Sequence, residues 1–162
     1  MPTRRRYPLK AKDAKLILDQ AIEKLKVDFA KESIVEVVES NVGAIYIIDG
    51  KPILFKSVNR ILPTLLFSEF ITKAPKVVVD MGAVPFVCKG ATIMAPGIVR
   101  IEGNFTIGDM VLVVDVKHGK ALAIGAALMN SDTVRYTKKG PIVKTIHYVS
   151  DKLWNYIKTF SE

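Results

Sequence analysis

Residues 77–103 read VVVDMGAVPFVCKGATIMAPGIVRIEG, and the fold is decided there. Three successive valines, β-branched and apolar, predict a short buried strand. Residues 81–89 predict a short helix, with Pro85 inside its first turn, where proline is tolerated. Gly90 reads as the C-cap. Residues 98–102 predict a second strand. Cys88, the single cysteine, lies in the apolar run 84–88 and reads as a buried helix residue. One cysteine forms neither an internal disulfide nor a cysteine-based zinc site, and it fits a reducing cytoplasm.

Working outward, IGDMVLVVDVKHGKALAIGAA at residues 107–127 predicts strands at 110–115 and 120–126, turned by His118-Gly119. Residues 142–146 predict another strand. Ser131 or Asp132 is expected to cap a brief helical turn. Asp151 is expected to cap a final helix carrying Leu153, Trp154 and Ile157, with Trp154 closing the core. Many short strands with glycine turns and few helices suggest a small barrel.

Upstream, residues 1–10 form a basic arm with Arg4, Arg5 and Arg6 in succession. No apolar run follows it, so it does not read as a secretory signal. A helix over 11–27 puts Ala14, Leu18, Ala21, Ile22 and Leu25 on one face. Strands are expected at 33–38, 44–48 and 53–56. Asp49-Gly50 is a strong hairpin signal, and Pro52 suits a strand start. A second helix is expected to open near Pro63 and run to Ile71 through Leu65, Leu66, Glu69 and Phe70. Residues 73–76 read as a linker, because Pro75 pushes its predecessor out of helical conformation. The expected architecture is α+β, with a small α/β domain over 1–75 and a β-barrel over 76–162.

The chain has 162 residues and a formal net charge of +8. There are 14 Lys and Arg against 9 Asp and Glu before Val77, and 10 against 7 from there on, so both halves are basic (+5 and +3). Such a balance suits polyanionic partners, nucleic acid above all. No apolar run approaches the ~20 residues that span a bilayer. No phosphate-binding loop, nucleophile elbow or H-E-x-x-H motif is present. Two histidines and one cysteine leave little for a metal site. The expectation is a cytoplasmic protein without catalysis, cofactor or metal.

Three blocks stand in one order: D-x-G-A-x-x-x-x-x-x-G-A at 80–91, A-P-G-I-V-R at 95–100, and Gly108-Asp109 before an apolar strand. Together they resemble a PUA domain, an RNA-binding β-barrel. The hairpin at 49–55, Leu-Pro-Thr-Leu-Leu at 62–66, Thr-Ile-Met-Ala-Pro-Gly at 92–97 and Thr-Ile-His-Tyr-Val-Ser-Asp-Lys-Leu-Trp at 145–154 extend the likeness. They are similar to the malignant T-cell-amplified sequence family, in which a pre-PUA domain precedes the PUA domain. The short chain looks like an archaeal member. Eukaryotic members act in initiation, reinitiation and recycling on the small ribosomal subunit and tRNA, with a partner bearing an initiation-factor-1-like domain. No such domain is expected to be fused here, since the sequence stops soon after Trp154.

The resemblance implies an RNA-binding cleft of Lys89, Gly90, Ala91, Met94, Pro96, Gly97 and Arg100, with Lys144, His147 and Tyr148 as neighbours. Glycines admit a phosphate or sugar, Lys and Arg neutralise phosphates, and Tyr or His stacks on bases. Arg4, Arg5, Arg6, Lys56, Arg60 and Lys73 form a candidate basic docking set on the first half. The partners expected are rRNA or tRNA and the small subunit. The competing readings are an accessory that presents tRNA or rRNA to a modifying enzyme, and a protein-interaction adaptor.

Overall fold

The computed structural model describes residues 5–161. The first half is an antiparallel meander of β1 (Arg5–Pro8), β2 (Val35–Ser40), β3 (Gly43–Ile48), β4 (Lys51–Ser57) and β5 (Arg60–Pro63), in that spatial order. Helix α1 (Ala11–Leu25) packs Ala21 and Leu25 into the core, and α2 (Ser68–Lys73) packs Phe70. Lys26 ends α1 in the left-handed region, with its N–H on the Ile22 carbonyl. The helix therefore stops two residues short of the expected end, and Ile22 stays 37% exposed while Ile17 is half-buried.

Two expectations for this half are corrected. Residues 5–8 are a strand, not a free arm; Arg6 donates through Nε and Nη2 to the two oxygens of Glu36, and the Tyr7 hydroxyl bonds Glu39. Arg4 lies outside the described residues. Pro63 ends strand β5 instead of opening a helix. It sits opposite Leu54 on an edge strand, where a missing N–H costs no ladder bond. The helix begins only at Ser68, after a turn in which the Thr64 hydroxyl donates to the Pro52 carbonyl and accepts from the Leu66 N–H.

The second half contains β6 (Lys76–Val79), α3 (Val84–Val87), β7 (Ile93–Met94), β8 (Ile98–Glu102), β9 (Met110–Asp115), β10 (Ala121–Ala127), α4 (Ser131–Val134), β11 (Pro141–Tyr148) and α5 (Lys152–Ile157). Its sheet runs β7-β11-β10-β9-β6-β8. The two end strands are consecutive in the chain, joined by the 3₁₀ turn Ala95–Gly97. Five strand spacings would part the ends of a flat sheet by ~24 Å. Four residue steps span at most ~14 Å. The sheet must therefore curl until its edges approach, which makes a half-barrel.

Strands 98–102 and 110–115 fall where the sequence puts them. Helix α3 is shorter than expected, ending before a half-buried Cys88. Ser131 is the first residue of α4, not its cap; it is buried, and its hydroxyl accepts the Phe105 N–H. Asp151 does cap α5, through the Trp154 N–H. Trp154 is only half-buried, under the Lys158 ammonium at 5.2 Å from the ring centroid, so it does not close the core.

The MVLVV run of β9 is apolar throughout because both faces of the strand are covered. Val111 and Val113 join Val77, Val79 and Ile142 inside the curl. Met110, Leu112 and Val114 face the other way and join Leu54, Leu62 and Phe70 of the first half. Leu153 and Ile157 of α5 enter that same cluster. The Arg60 side chain adds a bond to the Gly108 carbonyl, 2.9 Å.

Candidate nucleic-acid interface

Asp80 organises one end of the site. Its carboxylate accepts the Ala83 N–H at 2.8 Å, and its own N–H donates to the Gly97 carbonyl at 3.0 Å. The start of α3 is thereby tied to the Ala95–Gly97 turn. Pro85 sits in the first turn of α3, as the sequence suggests. Val87 points inward, while Phe86 stands 63% exposed. Gly90 has φ +86°, and a Cβ there would lie 2.7 Å from the Tyr148 ring. Both its conformation and the closeness of that ring demand glycine. The chain then doubles back, with the Ala91 N–H on the Phe86 carbonyl and the Thr145 hydroxyl on the Ala91 carbonyl. Strand β7 pairs with β11, Ile93 opposite Val143 and Met94 opposite Pro141.

Between α3 and the 93–97 segment lies a cleft of about 250 Å³, lined by Ala83, Phe86, Ala91, Ile93, Met94 and Gly97. Its surface is mainly apolar, and Phe86 and Met94 of its lining are exposed. Lys89 and Lys144 are exposed on neighbouring elements, and neither forms an ion pair among the described residues. The cleft offers an apolar contact near two ammonium groups that form no ion pair among the described residues.

A protein of Methanocaldococcus jannaschii is 39% identical over 160 residues, covering 96% of this chain and 99% of that one. The family model of the PUA domain matches residues 75–149, and that of DUF1947, a domain of unknown function, matches residues 5–69. The chain belongs to the PUA-domain proteins with a DUF1947 region in front. Translation machinery-associated protein 20 of Saccharomyces cerevisiae is 32% identical over 119 residues, which are 69% of this chain and 66% of that protein. Malignant T-cell-amplified sequence 1-B of Xenopus laevis is 34% identical over 102 residues, 60% of this chain and 56% of that one. The chain thus spans only about two-thirds or less of these two relatives. A PUA-domain crystal structure from Aeropyrum pernix, a tartrate complex, superposes with a TM-score of 0.86 at 27% identity, covering 99% of this chain and 95% of that one.

Within the PUA region, Ala91, Met94 and Gly97 line the cleft, Lys89 and Gly90 follow α3, and Pro96 is exposed in the turn. Tyr148 reaches the site by packing on Gly90. Arg100 lies beyond the turn, on β8, paired with Glu102 at 2.9 Å. His147 is not at the surface. It is fully buried; its Nε2 accepts the Leu65 N–H at 3.1 Å and its Nδ1 lies 2.8 Å from the Asp151 carboxylate. It joins the PUA region to the first half and has no face to offer a base. Burial alone would raise the Asp151 pKa. The bonds from His147, Trp154 and Tyr148 overcome that and bring it below the usual carboxylate value.

The basic docking set does not form one patch. Arg5 and Arg6 are on edge strand β1, while Lys56 and Arg60 share the β4–β5 hairpin at the opposite edge. Arg6 and Lys73 are also paired, with Glu36 and Glu69. Lys24 was missed; it lines a cavity with Arg60. Phe86 was missed too, although an aromatic beside Lys89 in a short helix was a readable signal. So was Arg-Tyr-Thr-Lys-Lys at 135–139, where a tyrosine interrupts a basic run.

Proposed function

We propose that this PUA protein is a non-catalytic, cytoplasmic RNA-binding factor of the translation apparatus, acting on the small ribosomal subunit, on tRNA, or on both, in initiation or recycling. The observation that carries the reading is the cleft between α3 and residues 93–97. Its apolar floor accepts the face of a base or sugar, and Lys89 and Lys144 stand ready for phosphates. The relatives whose names refer to the translation machinery support the process assigned. A partner bearing an initiation-factor-1-like domain fits the same reading. Lys24, Lys56 and Arg60 of the first half supply a second, weaker contact. On one rigid body two weak contacts multiply.

Co-sedimentation of the full chain with purified small subunits over a range of salt tests this. Binding is expected to weaken by about 0.7 to 0.9 log units per phosphate contact per decade of salt. A Lys89→Ala, Arg100→Ala, Lys144→Ala variant is expected to fold as the parent does and to show a shallower slope. Absence of co-sedimentation, with binding to free tRNA retained, would move the role to RNA modification. The exposed Phe86 and Met94 favour one further reading, an adaptor that docks protein in this cleft. Capture insensitive to salt would select it over RNA.

A further inference from the structure

Met94 and the Ala95–Gly97 turn form a ridge with two sides. One side is the apolar cleft. The other faces a groove of about 340 Å³ between β8 and the segment after α4, lined by Ala95, Arg100, Ile101, Val134, Arg135 and Thr137. The Arg135 guanidinium is fixed in place by the Gly103 carbonyl at 2.7 Å, Asp132 at 3.1 Å and Asn104 at 3.3 Å. Arg100 is held by Glu102 through Nε. Each arginine therefore has one acid beside it, and the excess positive charge falls on Lys138 and Lys139.

These two lysines are exposed and form no ion pair among the described residues. Tyr136 is 88% exposed, more than any other large hydrophobic side chain described. A ring left in water adds nothing to the core. The segment is nevertheless fixed to the ridge. The Gly140 carbonyl accepts the Ala95 N–H at 2.9 Å, Pro141 pairs with Met94, and the Thr137 hydroxyl bonds the Thr133 carbonyl at 2.7 Å. Tyr136, Lys138 and Lys139 thus adjoin in sequence Arg135 and Thr137, which line the groove that Arg100 lines from β8.

We infer that this face binds single-stranded RNA, a base stacking on Tyr136 while neighbouring phosphates meet Lys138, Lys139 and Arg100. Only an unpaired or terminal base has a face free for such a ring. The inference rests on the RNA-binding reading above and carries the strand across the ridge into the groove.

The test is fluorescence anisotropy of the full chain with a labelled oligouridylate of about 12 nucleotides and with an RNA duplex of the same length, across a salt series. The single strand is expected to bind more tightly than the duplex. Tyr136→Ala should weaken single-strand binding by about tenfold or more, and Tyr136→Phe should retain it. Lys138→Ala with Lys139→Ala should flatten the salt slope by about 1.4 log units per decade. These side chains are exposed, so the variants should unfold as the parent does. If the Tyr136 and Lys138/Lys139 variants match the parent while Lys89→Ala with Lys144→Ala binds less tightly, the groove is excluded and the RNA-binding reading stands. If the parent binds neither strand nor duplex at low salt, both fall. Loss of small-subunit co-sedimentation in Tyr136→Ala with RNA binding intact would assign the face to a protein and overturn the inference.

Discussion

Replacing His147 by phenylalanine removes two hydrogen bonds from the interior at nearly constant volume. Because Nε2 accepts from the Leu65 N–H, the ring proton resides on Nδ1 and is donated to Asp151. Phenylalanine leaves the buried Leu65 N–H without an acceptor, a cost of ~1–3 kcal/mol. It also takes from Asp151 one of three donors, a bond to a charged group worth ~1.5–3 kcal/mol. The more apolar ring offsets ~1 kcal/mol of this. The net loss is then about 1.5–5 kcal/mol, or roughly 3–20 °C in Tm for a chain of this size. Urea unfolding followed by circular dichroism at neutral pH measures it, provided the slope is unchanged. A loss below ~1 kcal/mol would refute the argument, since a buried amide cannot lose its acceptor at so small a cost. RNA affinity, measured where the variant is fully folded, should be unchanged. A fully stable variant that binds RNA less tightly would show instead that the ring meets RNA.

Asp151 has a folded pKa below its ordinary value, so its contribution to stability is complete above the unfolded carboxylate range of about 4. That contribution is lost as pH falls through the lower folded value, and Asp151→Asn should flatten the acid limb of a stability–pH profile. Gly90→Ala is expected to cost about 1–3 kcal/mol by urea melt, from the left-handed φ and the Tyr148 contact. Adding Tyr148→Ala should relieve only the contact, and full recovery would mean the backbone conformation costs nothing. We propose the domain boundary at residues 75/76. A fragment of residues 76–162 should then unfold cooperatively, since Val77, Val79, Val111, Val113 and Ile142 have their own interior. Its midpoint should be lower than the parent's, because Leu112, Val114 and Ile124 lose their cover. A fragment with no cooperative transition would mean one fused core.

The strands of the PUA region were readable because their signals are local. A run such as MVLVVD carries its own strand propensity. The glycine turns and the Asp151 cap were local as well. What escaped reading depends on distant partners. Residues 5–8 are exposed along their length, and they form a strand because Arg6 and Tyr7 meet Glu36 and Glu39, some thirty residues on. Pro63 suits the first turn of a helix and the end of an edge strand equally well, and only the pairing with β4 decides. His147 near a strand end looks the same in sequence whether buried or free; its acceptor role is set by Leu65, 82 residues earlier. The cleft lies where the motif at 89–100 implies it, whereas no motif marks the tyrosine and lysines at 136–139.

Strand β11 connects the site to the rest of the molecule. Lys144 is exposed beside the cleft, Thr145 holds the turn after α3 through the Ala91 carbonyl, and Tyr148 packs on Gly90. Between them His147 points into the interior and bonds Leu65 of the first half. One oxygen of Asp151 receives both His147 Nδ1 and the Tyr148 N–H, while the other receives Trp154. The group that fixes the link between the halves therefore also fixes the residue that packs against the cleft. Strand β9 is buried on both faces, its Val111 and Val113 inside the curl and its Met110, Leu112 and Val114 against the first half. In the function proposed above, this arrangement would let two weak surfaces act on one target together.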